Sequence, residues 1–488
     1  MTRVTDYYSL GVRQGGVDFV DVDVHTDVPV YIDPTAIRHQ TGPWAEACLV
    51  ALQTYFQALL DAIKAGDNAG QQDLIYPLVE PNETHLGQSI GDSRGRSLGT
   101  QAKADELINS LSKSKAVASG FLVDLEDAAL MVEGIDKDII SDITTCVIRG
   151  QLITYTQKQC VMHGIPMEKQ MSGPSWDPAS GAWVDDEVEL PRANDDKLLL
   201  VPKSIVRAKL TVDKGRYYRG YLRPYFEAEV LADPKVGLVR AITDKRGDVT
   251  GHKVIKGALD EELGTTKPAI TANTQKHPNA LADYRAALPD EDTGPMPDEE
   301  LAMRIGAEVE NLRDILAEMR AVAPGQGGAT LYHRCVARLM SALFTTSLGN
   351  EDIETKIHGG MKRLDITYDN VARHGFFHWL SLHYPAALVV VECKNYGKDA
   401  KNPEFDQLAM RFSPARGRVG ILACRAFEAK EVALERAKAI ARDSNGFVLV
   451  LDDDDFEQLI NDFEAAGTDF EQRNEHPLLR DRFQNLIN

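Results

Sequence analysis

The chain has 488 residues, more than the roughly 250 to 300 at which one hydrophobic core stops growing, so two or three domains are expected. With 43% hydrophobic and 26% charged residues the composition excludes wholesale disorder, and no apolar run reaches the roughly 18 residues of a membrane-spanning helix. A formal charge of −20 excludes a protein that coats nucleic acid indiscriminately, because that mode needs Lys and Arg to displace counterions from phosphates.

Residues 1–15 include Asp6 and Arg13 and carry no continuous apolar core of a secretory signal, so a cytoplasmic location without a membrane partner is expected. The six cysteines (Cys48, Cys146, Cys160, Cys335, Cys393, Cys424) are scattered, with no CxxC pair and no Cys/His spacing for zinc, and are expected to be reduced, buried thiols.

In chain order, residues 17–24 and 29–32 alternate as strands and 44–65 form a strongly apolar helix. Residues 102–170 are mainly helical. From 176 to 254 short strand-like runs (LLLVP, VGLVRAI) alternate with turns. Together these predict a mixed α+β region over 1–287, acting as a recognition or sensor unit, with an internal break near 175. The acids Asp18, Asp21, Asp23, Asp27 and Asp33, with His25, could hold a metal, but acids alternating with valines are what a half-exposed strand shows, and the spacing is not that of an EF-hand loop. Arg216, Tyr217, Tyr218, Arg219, Tyr221, Arg223 and Tyr225 suit base stacking, a protein interface, or simply a strand pair with one exposed face.

The acidic, proline-containing run 288–300 (LPDEDTGPMPDEE) has no apolar period and predicts a linker. After it, Leu301, Ile305, Val309, Leu312, Leu316 and Met319 repeat at helical spacing, predicting one bridging helix over 301–322 that stops at PGQGG, a flexible joint. That joint lacks the lysine of a nucleotide-binding loop, and no GxxxxGK[ST] occurs elsewhere, so any ATPase would be a separate partner.

From Leu331 the order is helix (LYHRCVARLMSALF), strand (ETKIH), a Gly-Gly hairpin turn at 359–360, strand (KRLDITY), strand (ALVVVECKN), helix (EFDQLAMRF), strand (RVGILAC), helix, strand (FVLVL) and helix. This is an α/β arrangement, αβββαβ with a βα extension, over 326–465, followed by a helical tail over 466–488. Strand alternation puts Asp365 with Arg363 and Thr367, and Glu392 with Val390 and Lys394. An acid and a lysine ending a buried strand lower stability unless something is gained from them. Two carboxylates from adjacent strands make a hard oxygen site suited to Mg²⁺ or Mn²⁺, with the Cys393 carbonyl between Glu392 and Lys394 placed to join it. Residues 394–418 reverse the local sign of charge, with Lys394, Lys398, Lys401, Arg411, Arg416 and Arg418 against Asp399, Glu404 and Asp406. Tyr396 and Phe412 bring aromatics to that region, as base-stacking residues or, for Phe412, as core.

Asp365 followed by Glu392-Cys393-Lys394 in this element order resembles the PD-(D/E)xK, or restriction-endonuclease-like, superfamily, and in particular its Mrr-like branch, in which a glutamine on the following helix often belongs to the active site. Gln407 stands at that place. The resemblance covers under a third of the chain; it departs from the family in Leu364, where a proline commonly precedes the aspartate, and in His333, where many relatives carry a glutamate that Glu354 could replace. It implies Asp365, Glu392, Lys394 and Gln407 as catalytic residues, and Asp365, Glu392, the Cys393 carbonyl and Glu354 as metal ligands. It further implies hydrolysis of nucleic-acid phosphodiesters, DNA favoured over RNA, in prokaryotic restriction or antiviral defence, with Lys398, Lys401, Arg411, Arg416 and Arg418 along the polymer and a homodimer where both strands are cut. The alternative is a protein that kept the fold, lost catalysis and acts as a nucleic-acid-binding scaffold.

Overall fold

In the computed structural model, which describes residues 1–488 apart from 80, 88–99, 247, 293, 356–363, 398, 414–416 and 444–445, the apolar run near residue 50 forms the longest helix, α1 (Pro43–Ala65). For residues 291, 353–355, 364 and 365 only the backbone is described. Pro43 starts α1 at a position where no amide is needed, and Gly66 ends it at φ +66°.

Five helices follow between 101 and 163, ending in α2 (Arg149–His163). The strand pair expected at 17–32 is reduced to Tyr31–Ile32 paired with Val206–Arg207, because the chain from Val17 to Val24 runs through the interior, where acids and valines are buried alike. Each carboxylate there takes its own donors: Thr5 N–H and Oγ1 bond Asp21 at 3.0 and 2.7 Å, and Thr211 N–H and Oγ1 bond Asp33 at 2.8 and 2.7 Å. Burial pushes Asp21 up to about 6 and raises Asp33.

No break divides this region near 175. One hydrophobic cluster runs from Val4 to Ile305, and Trp176 and Trp183 both pack edge-on to Tyr55 of α1 at 5.4 Å between ring centroids. The Tyr/Arg-rich stretch is helical, not a strand pair. Lys214–Arg216 and Arg223–Ala232 are α-helical around a π-helical turn at Tyr217–Leu222, and the buried Tyr217 hydroxyl lies 2.8 Å from Thr274 Oγ1. After it comes a two-stranded ribbon, β1 (Val239–Thr243) antiparallel to β2 (Val249–Val254).

The acidic run is not an open linker. A helix continues through Pro289 to Glu291, and Asp292 is buried against Arg207 at 3.0 Å, His39 at 3.1 Å and Arg373 at 3.3 Å. Its composition looked solvated because the partner cations lie far away in sequence. The single bridging helix is two helices, α3 (Asp298–Ile305) and α4 (Leu312–Ala321), divided at Gly306, which adopts φ +70°.

The second hydrophobic cluster spans Ile315 to Leu486. Helix α5 (Ala329–Leu343) leads into β3 (Leu348–Thr355) and β4 (Leu364–Asn370). Then come α6 (Gly375–His383), β5 (Leu388–Lys394), α7 (Asn402–Ala409) and β6 (Val419–Cys424). The chain closes with α8 (Lys430–Arg442), β7 (Phe447–Leu451), α9 (Asp453–Ala466), a six-residue helix (Phe470–Glu475) and α10 (Pro477–Ile487). The five strands form one sheet in the order β3-β4-β5-β6-β7, antiparallel across its first two pairings and parallel across the last two. Strands β5 and β6 are buried along their whole length, as parallel strands covered on both faces must be. Helix α6 was not expected: GFFHWLSLH is short and apolar all round, so it carries no helical period. The helical tail belongs to this core, with Phe483 of α10 against Tyr384 and Phe447.

A polar seam joins the two clusters along β3. Tyr155 Oη and the Glu351 N–H both donate to Asp18, at 2.7 and 3.0 Å, and Tyr368 Oη donates to Glu351 at 3.0 Å. Asp369 accepts from Asn350 Nδ2 at 2.8 Å and sits over Gly42 at the start of α1, where a Cβ would lie 2.0 Å from its carboxyl carbon. Among the described residues no helix is long and apolar enough to cross a membrane.

Candidate functional site

Strand β5 and helix α7 build the site. The apolar run LVVVE enters the sheet and ends in a charged pair: Glu392 is 2% exposed, Lys394 8%, and Lys394 Nζ donates to Glu392 Oε1 at 2.5 Å. Gln407 of α7 faces the same ammonium, its Oε1 3.5 Å from Lys394 Nζ. Arg411, just past α7, brings its guanidinium to 3.9 Å from Glu392 Oε2. Four of the expected residues therefore converge at the C-terminal end of the parallel strands, where sheets of this kind bind ligands.

The neighbouring strands supply register. Asp365 of β4 is the direct partner of Glu354 on β3. On its other side Ile366 pairs with Val391, so one step further along the two strands stand Asp365 and Glu392. Glu354, Asp365 and Glu392 thus occupy successive cross-strand positions in the backbone register. Among the described side chains no group of three His, Cys, Asp or Glu is close enough to hold a metal, and Glu354 and Asp365 are outside that set.

Two further residues shape the site. Asn395, 2% exposed, donates from Nδ2 to the carbonyls of Ala323 and Gly325 at 2.9 and 3.0 Å, while Gly325 N–H donates to the Asn395 carbonyl at 2.7 Å. The PGQGG segment is thereby tied to the end of β5. His333 of α5 is hydrogen-bonded to the Cys393 backbone beside Glu392 and Lys394, and burial lowers its pKa, favouring the neutral ring. Nothing in a sequence pattern links residues 325, 333 and 395.

The remaining expected cations separate. Lys401 precedes α7, its N–H donating to Glu404 at 2.8 Å, with the side chain exposed. Arg418 is not brought to the site: it precedes Val419, the partner of Val389, and so lies six residues, or about 20 Å, from Lys394 at the opposite end of the sheet. Lys398, Arg416 and the Gly-Gly turn lie outside the described residues. Tyr396 is 43% exposed beside Lys394, whose Nζ is 5.9 Å from the ring centroid. Phe412 is half-buried and packs against the core, so closely that a Cβ on Gly420 would meet its ring at 3.0 Å. The Cys393 thiol is buried, on the strand position opposite in sense to Glu392 and Lys394.

Residues 9–213 match the model of a family described as a domain of unknown function, DUF8370. No curated protein and no solved structure matches the chain.

Proposed function

We propose that the C-terminal sheet is a restriction-endonuclease-like PD-(D/E)xK domain that hydrolyses nucleic-acid phosphodiesters, DNA favoured, with a divalent metal. The observation that carries the proposal is the buried Glu392–Lys394 pair with Gln407 against it, at the end of a strand whose register continues to Asp365. The order of helix α5, strands β3, β4 and β5, helix α7 and strand β6 supports it.

The donor set fits Mg²⁺ or Mn²⁺: carboxylates from three adjacent strands and a backbone carbonyl, all hard oxygens. Asp365, Glu392 and the Cys393 carbonyl would hold the ion, with Glu354 a further ligand. Bound there, a divalent ion acidifies water and stabilises the leaving alkoxide. Lys394 orients the attacking water and offsets the negative charge that grows on the phosphoryl oxygens. Gln407 fixes the ammonium from the other side, and Arg411 extends positive charge toward the polymer. The joint at Ala323–Gly325, bonded to Asn395, holds the end of β5 against fraying.

The test is incubation of the full chain with plasmid, linear duplex and RNA in Mg²⁺ or Mn²⁺, beside Asp365→Ala, Lys394→Ala and Gln407→Ala. Cutting by the parent, lowered at least a hundredfold in the first two variants and less in the third, is the expected result. Metal titration by calorimetry covers a chain that awaits a trigger: Asp365→Ala must lose the binding the parent shows. A parent that binds nucleic acid, takes up no metal and cuts nothing would overturn the enzymatic assignment in favour of a scaffold that kept the fold.

A further inference from the structure

We propose that the β1–β2 ribbon is a duplex-DNA-binding element, entering the major groove with its tip and gripping phosphates with one face. The choice of polymer rests on the nuclease reading; the existence of the surface rests on the ribbon alone.

Residues 235–256 contain Lys235, Arg240, Lys245, Arg246, Lys253 and Lys256 against only Asp244 and Asp248, in a chain whose acids outnumber its bases 74 to 54. Asp244 is engaged in the turn itself: its Oδ1 accepts from the N–H groups of Arg246 and Asp248 at 2.8 and 2.9 Å. The tip therefore presents Lys245 and Arg246, both exposed.

Arg240 and Lys253 are direct cross-strand partners, both exposed, and among the described residues neither forms an ion pair. Like charges set opposite one another destabilise a strand pair, so the local fold does not explain them. Lysines on an edge can serve to block sheet-to-sheet pairing, but that role does not account for Ile242 and Val249, 47% and 59% exposed on the same ribbon. A cation pair, apolar side chains and a basic tip are together the surface of a polyanion reader, the apolar groups suited to thymine methyls.

The geometry favours a duplex. A two-stranded ribbon fits the roughly 12 Å width of the B-form major groove, whereas the deep, narrow groove of A-form RNA excludes it. Five residues give β1 a length of about 17 Å, enough to cross the groove. The root is fixed: Ile255 N–H donates to the Leu238 carbonyl at 2.7 Å, and Leu238 and Val254 belong to the N-terminal core. The ribbon lies outside residues 9–213, between the matched region and the nuclease sheet.

Binding is read by fluorescence anisotropy of a 24-base-pair duplex with the full chain in EDTA, across a salt series, so that cleavage plays no part. Arg240→Glu/Lys253→Glu and Lys245→Ala/Arg246→Ala are each expected to weaken binding at least tenfold. Arg240→Glu/Lys253→Glu, which removes the pair on the phosphate-gripping face, should also lower the log–log salt slope by about two, since one lost phosphate contact removes about 0.9. Lys64→Gln/Lys209→Gln, exposed cations elsewhere, should bind as the parent does. The neutral pair Arg240→Gln/Lys253→Gln, checked by circular dichroism, keeps charge reversal or misfolding from being mistaken for lost contacts. A parent that ignores duplex DNA, or prefers phosphatidylserine vesicles to it, overturns the proposal, as do ribbon variants that bind like the parent. Ribbon variants that bind normally while Asp365→Ala abolishes cutting would sink the ribbon and leave the nuclease standing; lost binding without any cutting by the parent would do the reverse.

Discussion

Lys394→Met is the most informative single perturbation, because it separates what the charged pair does for stability from what it does for chemistry. The side chains of Glu392 and Lys394 are 3% and 9% exposed, so removing the ammonium leaves a carboxylate in an interior that solvates it poorly. Breaking such a pair costs about 3 to 5 kcal/mol. Here Arg411, 3.9 Å from Glu392 Oε2, recovers part of that, which brings the expected loss to about 3 kcal/mol. Glu392→Met/Lys394→Met removes both charges at nearly constant volume, and apolar replacement of a buried pair is neutral or stabilising by about 1 to 4 kcal/mol. The double variant should therefore return to within about 1 kcal/mol of the parent. Urea denaturation followed by circular dichroism, with hydrogen exchange on the β5 peptide, reads both values. A Lys394→Met loss below about 0.5 kcal/mol, or a double variant worse than the two singles combined, would refute the claim that this site is a stability liability.

The seam along β3 should respond to pH. Burial pushes Asp369 up to about 7 from the ordinary 3.8, helped by Asp18 and Asp352 and opposed by Asn350 and Lys158. Because the folded value is raised, its stabilising contribution is present in full below about 4, falls as the pH climbs, and is gone above about 7. Hydrogen exchange over Leu348–Thr355 should accelerate across that window, and Asp369→Asn should flatten the profile. An unchanged profile in the variant would assign the effect elsewhere. Phe483→Ala, removing a fully buried ring beside Trp379, Tyr384 and Phe447, should cost about 3 to 5 kcal/mol in the same denaturation assay; a loss below 1 kcal/mol would mean that α10 is peripheral. All six cysteines are buried and free, so a thiol reagent should titrate none in native protein and six in denaturant. Fast native labelling would contradict that packing.

Much of the C-terminal domain was legible because its strands are short apolar runs with clear ends. VVVECKN and RVGILAC carry their burial in their composition, and Glu392, Lys394 and Gln407 fall on elements whose order the sequence states. The N-terminal region was less legible for a physical reason. Asp18, Asp33 and Asp292 are buried through partners 137, 178 and 85 residues distant, so their acidity suggested exposed strands and a linker. Tyr217 and Tyr218 resembled strand residues until the helix between Lys214 and Ala232 buried them.

By itself the sequence determined the local periods: where apolar runs begin and end, which carboxylate and amine close a buried strand, and which helix follows. Only tertiary structure decided which charges lose water. Burial and pairing depend on groups brought together from far apart in the chain, as Asn395 to Gly325 and Asp369 to Gly42 illustrate, and no local pattern encodes that distance.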